Sequence, residues 1–153
     1  MALRDEIKQT KPFASLHEEA FLNVARTAAV LSHSFAEAMK AHGITATQYN
    51  VLRILRGAGN AGLTRNEVRD RLVAQVPDVT RLLDRMAEAG LVERERETVD
   101  RRMVTTRITA EGLRLLRALD APVLELHRSQ LGHLSRQQLA TLVELLTLAR
   151  GAG

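Results

Sequence analysis

The stretch from Val76 to Leu113 changes its hydrophobic period twice with no linker between the changes, and this confines the fold more than any other part of the chain. From Pro77 to Ala89, Val79, Leu82, Leu83 and Met86 recur at the spacing of one helical face, leaving Arg81, Asp84, Arg85 and Glu88 on the other. Pro77 suits a first helical position, where its missing N–H costs nothing. Gly90 suits the left-handed residue that closes a helix. Residues 91–97 and 103–108 read as two strands of a hairpin whose turn carries Asp100-Arg101-Arg102. Thr109-Ala110-Glu111-Gly112 opens another helix. This succession predicts a helix presented beside a wing.

The flanks are helical. Pro12 closes a mixed, charged arm that is expected to be frayed or loosely docked. From Phe13 to about His42, His17, Phe21, Val24, Ala28, Leu31, Phe35, Ala38 and His42 fall at alternating four- and three-residue steps. Such a stripe must pack on other helices or on a second subunit, and Gly43 ends it. Thr45-Ala46-Thr47-Gln48 is a capping box for a helix through about Arg56 with Tyr49, Leu52 and Leu55 inward. A glycine-rich loop over 57–62 precedes a second box, Thr64-Arg65-Asn66-Glu67, and a short helix through Leu72. Beyond the hairpin, Leu113, Leu116, Leu119, Val123 and Leu126 line a long helix that Pro122 can kink. Ser135-Arg136-Gln137-Gln138 caps a terminal helix with Leu139, Leu142, Leu145, Leu146 and Ala149. The expected fold is mainly α with a small β-hairpin wing, one domain over 1–153. A winged helix-turn-helix region at 45–108 is flanked by long helices over 13–42 and 109–150.

Composition narrows the function. With 153 residues the chain can bury a real core. It has no cysteine, which removes disulfides, thiol nucleophiles, thiol redox sensing and thiolate metal sites together. His17, His33, His42, His127 and His133 show no tight ligand spacing, so no metal is expected unless distant helices converge. No apolar run reaches membrane-spanning length, and the N-terminus lacks a secretory h-region, pointing to the cytoplasm and to no membrane partner. The net charge of +4 fits a polyanionic partner without requiring one. Phe13, Phe21, Phe35 and Tyr49 are too few to stack single-stranded nucleic acid. No Gly-x-Ser-x-Gly, phosphate-cradling glycine loop, HExxH or dinucleotide fingerprint is present, so neither an enzyme nor a cofactor is expected.

The two short helices, 64–72 and 77–89, have helix-turn-helix proportions. The first would brace on phosphate with its free amides, helped by Thr64, Arg65 and Asn66. The second, entered through Gln75 and Pro77, would offer Asp78, Thr80 and Arg81 to base edges. Arg can grip guanine bidentately, Asp can accept from a cytosine amine, and Thr can meet a thymine methyl. Asp78 reads equally as a helix cap, Thr80 as a packing residue, and Arg85 as a phosphate contact or an intramolecular pair. In the wing, Arg102 would enter a groove with the Asp100 carboxylate bracing its guanidinium, while Arg101 meets phosphate. The alternative there is a solvated turn with a weak ion pair.

The run from Val79 to Met86, then Gly90-Leu91-Val92-Glu93-Arg94, Asp100-Arg101-Arg102 and Ile108-Thr109-Ala110-Glu111-Gly112, resembles the MarR family of bacterial transcription regulators, most clearly over 63–113. The resemblance implies a homodimer joined through the first and last helices, and a double-stranded, pseudo-palindromic operator with half-sites about one helical turn apart. It also implies a repressor released by a small phenolic or lipophilic anionic inducer. By the same match, Asp100 and Arg102 stand at the family's D-x-R wing and 77–89 at its recognition helix. The absence of cysteine and tryptophan departs from the family's thiol peroxide sensors and its urate-responsive branch.

A ligand pocket in such an architecture would lie between the helical arms and the reader, where His17, His42, Tyr49, Asn50 and Arg53 offer an aromatic wall and polar groups for an anion. Each also has a plain structural reading, Tyr49 as core, the histidines as seam edges and Arg53 as a surface pair. Two rival functions are a metal-responsive regulator and a winged-helix dimer that docks protein instead of DNA.

Overall fold

The computed structural model describes residues 1–151. The chain forms two compact units, Met1–Gly43 and Ile44–Gly153.

In the first unit, α1 (Leu3–Glu6) precedes α2 (Leu16–Lys40). The arm around α1 is folded rather than frayed. Leu3 is buried, and the Arg4 guanidinium donates to the carbonyls of Gln9 and Thr10 at 3.3 and 2.8 Å. Helix α2 starts three residues later than the Phe13 start expected from sequence, because Ser15 is extended and its hydroxyl accepts from the Glu18 N–H at 3.1 Å. Of the stripe, Phe21 and Val24 are exposed, Leu31 and Phe35 are half-buried, and His17 and His42 stand in solvent.

The second unit runs α3 (Ala46–Ala58), β1 (Leu63–Thr64), α4 (Arg65–Arg71), α5 (Val79–Glu88), β2 (Val92–Arg96), β3 (Val104–Ile108), α6 (Ala110–Leu131) and α7 (Arg136–Ala149). All three expected capping boxes form, at Thr45, Thr64 and Ser135. Val51, Leu52 and Leu55 of α3, Val68 of α4, Leu83 and Met86 of α5, and Leu116 and Leu119 of α6 are wholly buried and make the core. Arg56 and Asp120 clasp α3 to α6 with two hydrogen bonds of 2.9 and 3.0 Å. Helix α6 runs unbroken through Pro122. No helix among the described residues is long and apolar enough to cross a membrane.

The sheet departs from the two-stranded hairpin of the sequence reading. It has three antiparallel strands in the order β1-β3-β2, with Leu63 opposite Thr106 and Thr64 opposite Thr105. A two-residue strand leaves no alternation to detect in the sequence, and Thr64 does double duty as strand residue and helix cap.

Candidate nucleic-acid interface

Helix α5 begins two residues later than the Pro77 start expected from sequence. Asp78 is the cap, its Oδ1 accepting from the Arg81 N–H at 3.0 Å, and Pro77 lies just outside. The physical reason is the choice of cap. A start at Pro77 would leave Val76 capping, with no acceptor to offer, whereas Asp78 supplies one. Of the two readings of Asp78, capping is the one the geometry displays.

The far end of α5 is equally determined. Gly90 takes φ +76°, and the N–H groups of Gly90 and Leu91 close on the carbonyls of Ala87 and Met86, both at 3.0 Å. This is a left-handed cap that only glycine adopts without strain. The Leu91 carbonyl then accepts from the Thr109 N–H at 3.1 Å, and a Cβ on Gly112 would sit 2.3 Å from that same carbonyl. The glycine in Thr109-Ala110-Glu111-Gly112 is therefore a packing requirement that docks the end of α5 against the start of α6.

Between these ends, α5 exposes Arg81 and Arg85, and among the described residues neither enters an ion pair. Gln75 is also exposed, in the turn before α5. Thr80 is half-buried, and its hydroxyl accepts from the Arg65 guanidinium at 3.3 Å, so the structure brings together two residues the sequence reading had treated separately. Thr64 spends its side chain on the cap of α4, accepting from the Glu67 N–H at 3.3 Å, and Asn66 is exposed in the first turn of that helix.

At the wing tip, Asp100 does not brace the Arg102 guanidinium. Its Oδ1 accepts from the Arg102 backbone N–H at 3.0 Å, a short local turn that a side chain two residues upstream reaches more readily than an extended guanidinium. Met103 N–H closes on the Asp100 carbonyl at 3.0 Å, and Arg96 donates to the Arg101 carbonyl at 2.6 Å. Asp100 thus shapes the turn and leaves both Arg101 and Arg102 exposed, with no ion pair among the described residues. The strands below are held on their outer face by Arg107, which reaches the Asn60 carbonyl at 2.7 Å and Glu95 at 3.0 Å.

The residues assigned to a ligand pocket fall in both units. Tyr49 is buried, which pushes its phenol pKa up, while the positive charge of Arg53 pulls it the other way. Asn50 accepts from the Val73 N–H at 2.9 Å, tying α3 to the turn between α4 and α5. Arg53 is exposed. No cluster of three or more His, Asp or Glu side chains suited to a metal ion occurs among the described residues.

Sequence reasoning missed Arg94 and Asp84, which pair across β2 and α5. A signal was there. Val92, Arg94 and Arg96 share one strand face, and the first of them is buried.

A short capped helix, a turn, a second helix with exposed arginines, and a three-stranded wing with two more at its tip define a winged helix-turn-helix DNA-binding protein. Residues 42–103 match the MarR family. The multiple antibiotic resistance protein MarR of Salmonella typhimurium is 34% identical over 104 residues, 67% of this chain and 71% of that protein. The chain belongs to the MarR family, whose matched members are transcription regulators and not enzymes. A MarR transcription factor from Planctomyces limnophilus is similar in structure, at 39% identity, TM-score 0.69, and coverage of 90% of this chain and 99% of that one. A mutant MarR from E. coli complexed with operator DNA is similar at 27% identity and TM-score 0.78, covering 89% of this chain and 99% of that one.

Proposed function

We propose that this transcription regulator is a homodimeric repressor of a pseudo-palindromic operator, released by a small phenolic or lipophilic anionic ligand. The observation that carries the DNA-reading part is the set of exposed guanidinium groups at Arg81, Arg85, Arg101 and Arg102, none in an ion pair among the described residues, two on the helix suited to the major groove and two on the wing. Arg65, Asn66 and the N-terminal amides of α4 would add phosphate contacts. Thr64, Pro77, Asp78 and Asp100 act by shaping the backbone from which these side chains project. Gln75 and Thr80 border the same surface, Thr80 through Arg65.

Dimerisation through the long helices over 13–42 and 109–150 is supported by their exposed apolar residues, among them Phe21 and Val30 on α2 and Val143, Leu145 and Leu148 on α7. For the ligand, Tyr49, Asn50 and Arg53 of the second unit are the candidates. Asn50 offers a route to the reading head. A phenol hydroxyl that donates to its Oδ1 competes with the Val73 N–H and frees the turn that leads into α5.

The test is selection of bound duplexes from a random library, followed by salt titration of the enriched sequence. An inverted repeat is expected, with affinity falling steeply as salt rises through counterion release. Arg102→Ala should weaken binding about tenfold or more, the worth of one good groove contact. No enriched repeat and a flat salt response would replace this reading with a protein-docking module.

A further inference from the structure

Arg94 occupies a strand position that the rest of the fold treats as interior. The register sets it opposite Thr106 of β3, whose other neighbour is Leu63 of β1, and both of those residues are buried. Only 19% of the Arg94 side chain is exposed. Its guanidinium reaches out of the sheet to Asp84 on α5, an ion pair that links wing and helix. Its Nε stays buried with no hydrogen-bond partner among the described residues, and so does the hydroxyl of Thr106 across the ladder.

As a stability device this is a poor arrangement. A partly buried ion pair with an unmet donor is often no better than an apolar side chain of similar volume, and an incompletely satisfied polar cluster is worse than none. Val92 is buried on the same strand face, so an aliphatic residue would suit the site. A local rule broken without compensation in stability points to a role in function. Asp84 lies three residues beyond Arg81 and next to Arg85 on α5, while Arg94 lies on the strand that leads into the tip bearing Arg101 and Arg102.

We propose that Arg94, acting through Asp84, is a positioning residue that holds the recognition helix in register with the wing, so that the two sets of DNA-facing arginines address one half-site as a unit. This rests on the assignment of those arginines to DNA made above.

The experiment compares Arg94→Met, Asp84→Asn and the double variant with the wild type, measuring affinity for the selected operator and for a scrambled duplex of equal length, together with Tm. Arg94→Met is expected to keep or raise Tm while the operator-to-scrambled ratio falls about tenfold, as for coupled groups in contact. Asp84→Asn, a change on an exposed helix face, should lower the ratio in the same direction, and the double variant should be no worse than Arg94→Met. Equal losses on both duplexes would make Arg94 a plain phosphate-binding charge and overturn the proposal. So would additive losses, or a fall in Tm with an intact ratio. Arg102→Ala on the same duplexes separates the two levels of inference. A ratio that Arg102→Ala lowers and both Arg94→Met and Asp84→Asn leave intact sinks the coupling alone, whereas a wild type with no operator preference sinks the DNA assignment and the coupling with it.

Discussion

The core of the winged helix and the apolar faces of α2 and α7 use much the same residues to opposite ends. Leu52, Leu55, Leu83, Leu116 and Leu119 are wholly buried, while Phe21, Val24, Val143, Leu145 and Leu148 stand about half or more exposed. Helix α5 is only 10 residues long yet buries Val79, Leu83 and Met86, whereas α7 with 14 residues buries none. The difference teaches that helix length and apolar content do not decide burial. Short helices here are enclosed because they pack on each other, on the sheet and, for α4, on α3, whereas α2 and α7 keep apolar residues exposed. Exposed apolar side chains repeated along one helix are the kind of surface that a partner covers, which is the basis of the dimer proposed above.

The largest break in this contrast should come from the enclosed side. Leu83→Ala is expected to cost about 3–4 kcal/mol, the range for emptying a fully buried leucine site, read as a lower urea midpoint with m unchanged. Gly112→Ala comes next. A methyl group 2.3 Å from the Leu91 carbonyl must push the start of α6 off the end of α5, so a loss of about 2–3 kcal/mol is expected from overpacking. A cost below half of that would show that the junction yields easily.

On the open side, Leu145→Glu should leave the urea midpoint at high protein concentration nearly intact but weaken self-association about thirtyfold or more, as for a central interface residue. Sedimentation as a function of concentration measures this. A distribution identical to wild type would place the interface elsewhere.

The smallest effect concerns pH. The hydrogen bonds from Arg56 hold the Asp120 carboxyl below its usual range. A depressed carboxylate pKa means the pair contributes fully above the unfolded value of 3.8 and loses its contribution as pH falls through the lower folded one. Both side chains are about one-third to one-half exposed, so solvent screening keeps the contribution below about 1 kcal/mol. Acid unfolding of Asp120→Asn should accordingly show a slightly shallower loss of stability below about pH 4 than the wild type.

Much of this protein was readable from residue order because its signals are local. Capping boxes at Thr45, Thr64 and Ser135 need only a residue and its neighbour three positions on, and all three form. Gly90 was legible as a left-handed stop for the same reason. The wing was legible as alternation on either side of a polar turn, and Arg101 and Arg102 were legible at its tip.

What local pattern could not reveal were pairings between distant segments. The strand at Leu63–Thr64 exists only because β3 offers it a free edge. Asp100 offered two partners within reach, and only the folded turn selected the Arg102 N–H over the guanidinium. Arg65 meets Thr80, Asn50 meets Val73, and Arg94 meets Asp84 because helices and strands cross there, at separations no periodicity encodes. The order of residues by itself determined the elements, their caps and the fold class, since hydrophobic period and capping act over a few residues. Only the tertiary structure decided which polar side chains are used up inside the winged helix and which exposed arginines have no ion pair among the described residues, because that depends on which segments the shared core brings within hydrogen-bonding distance.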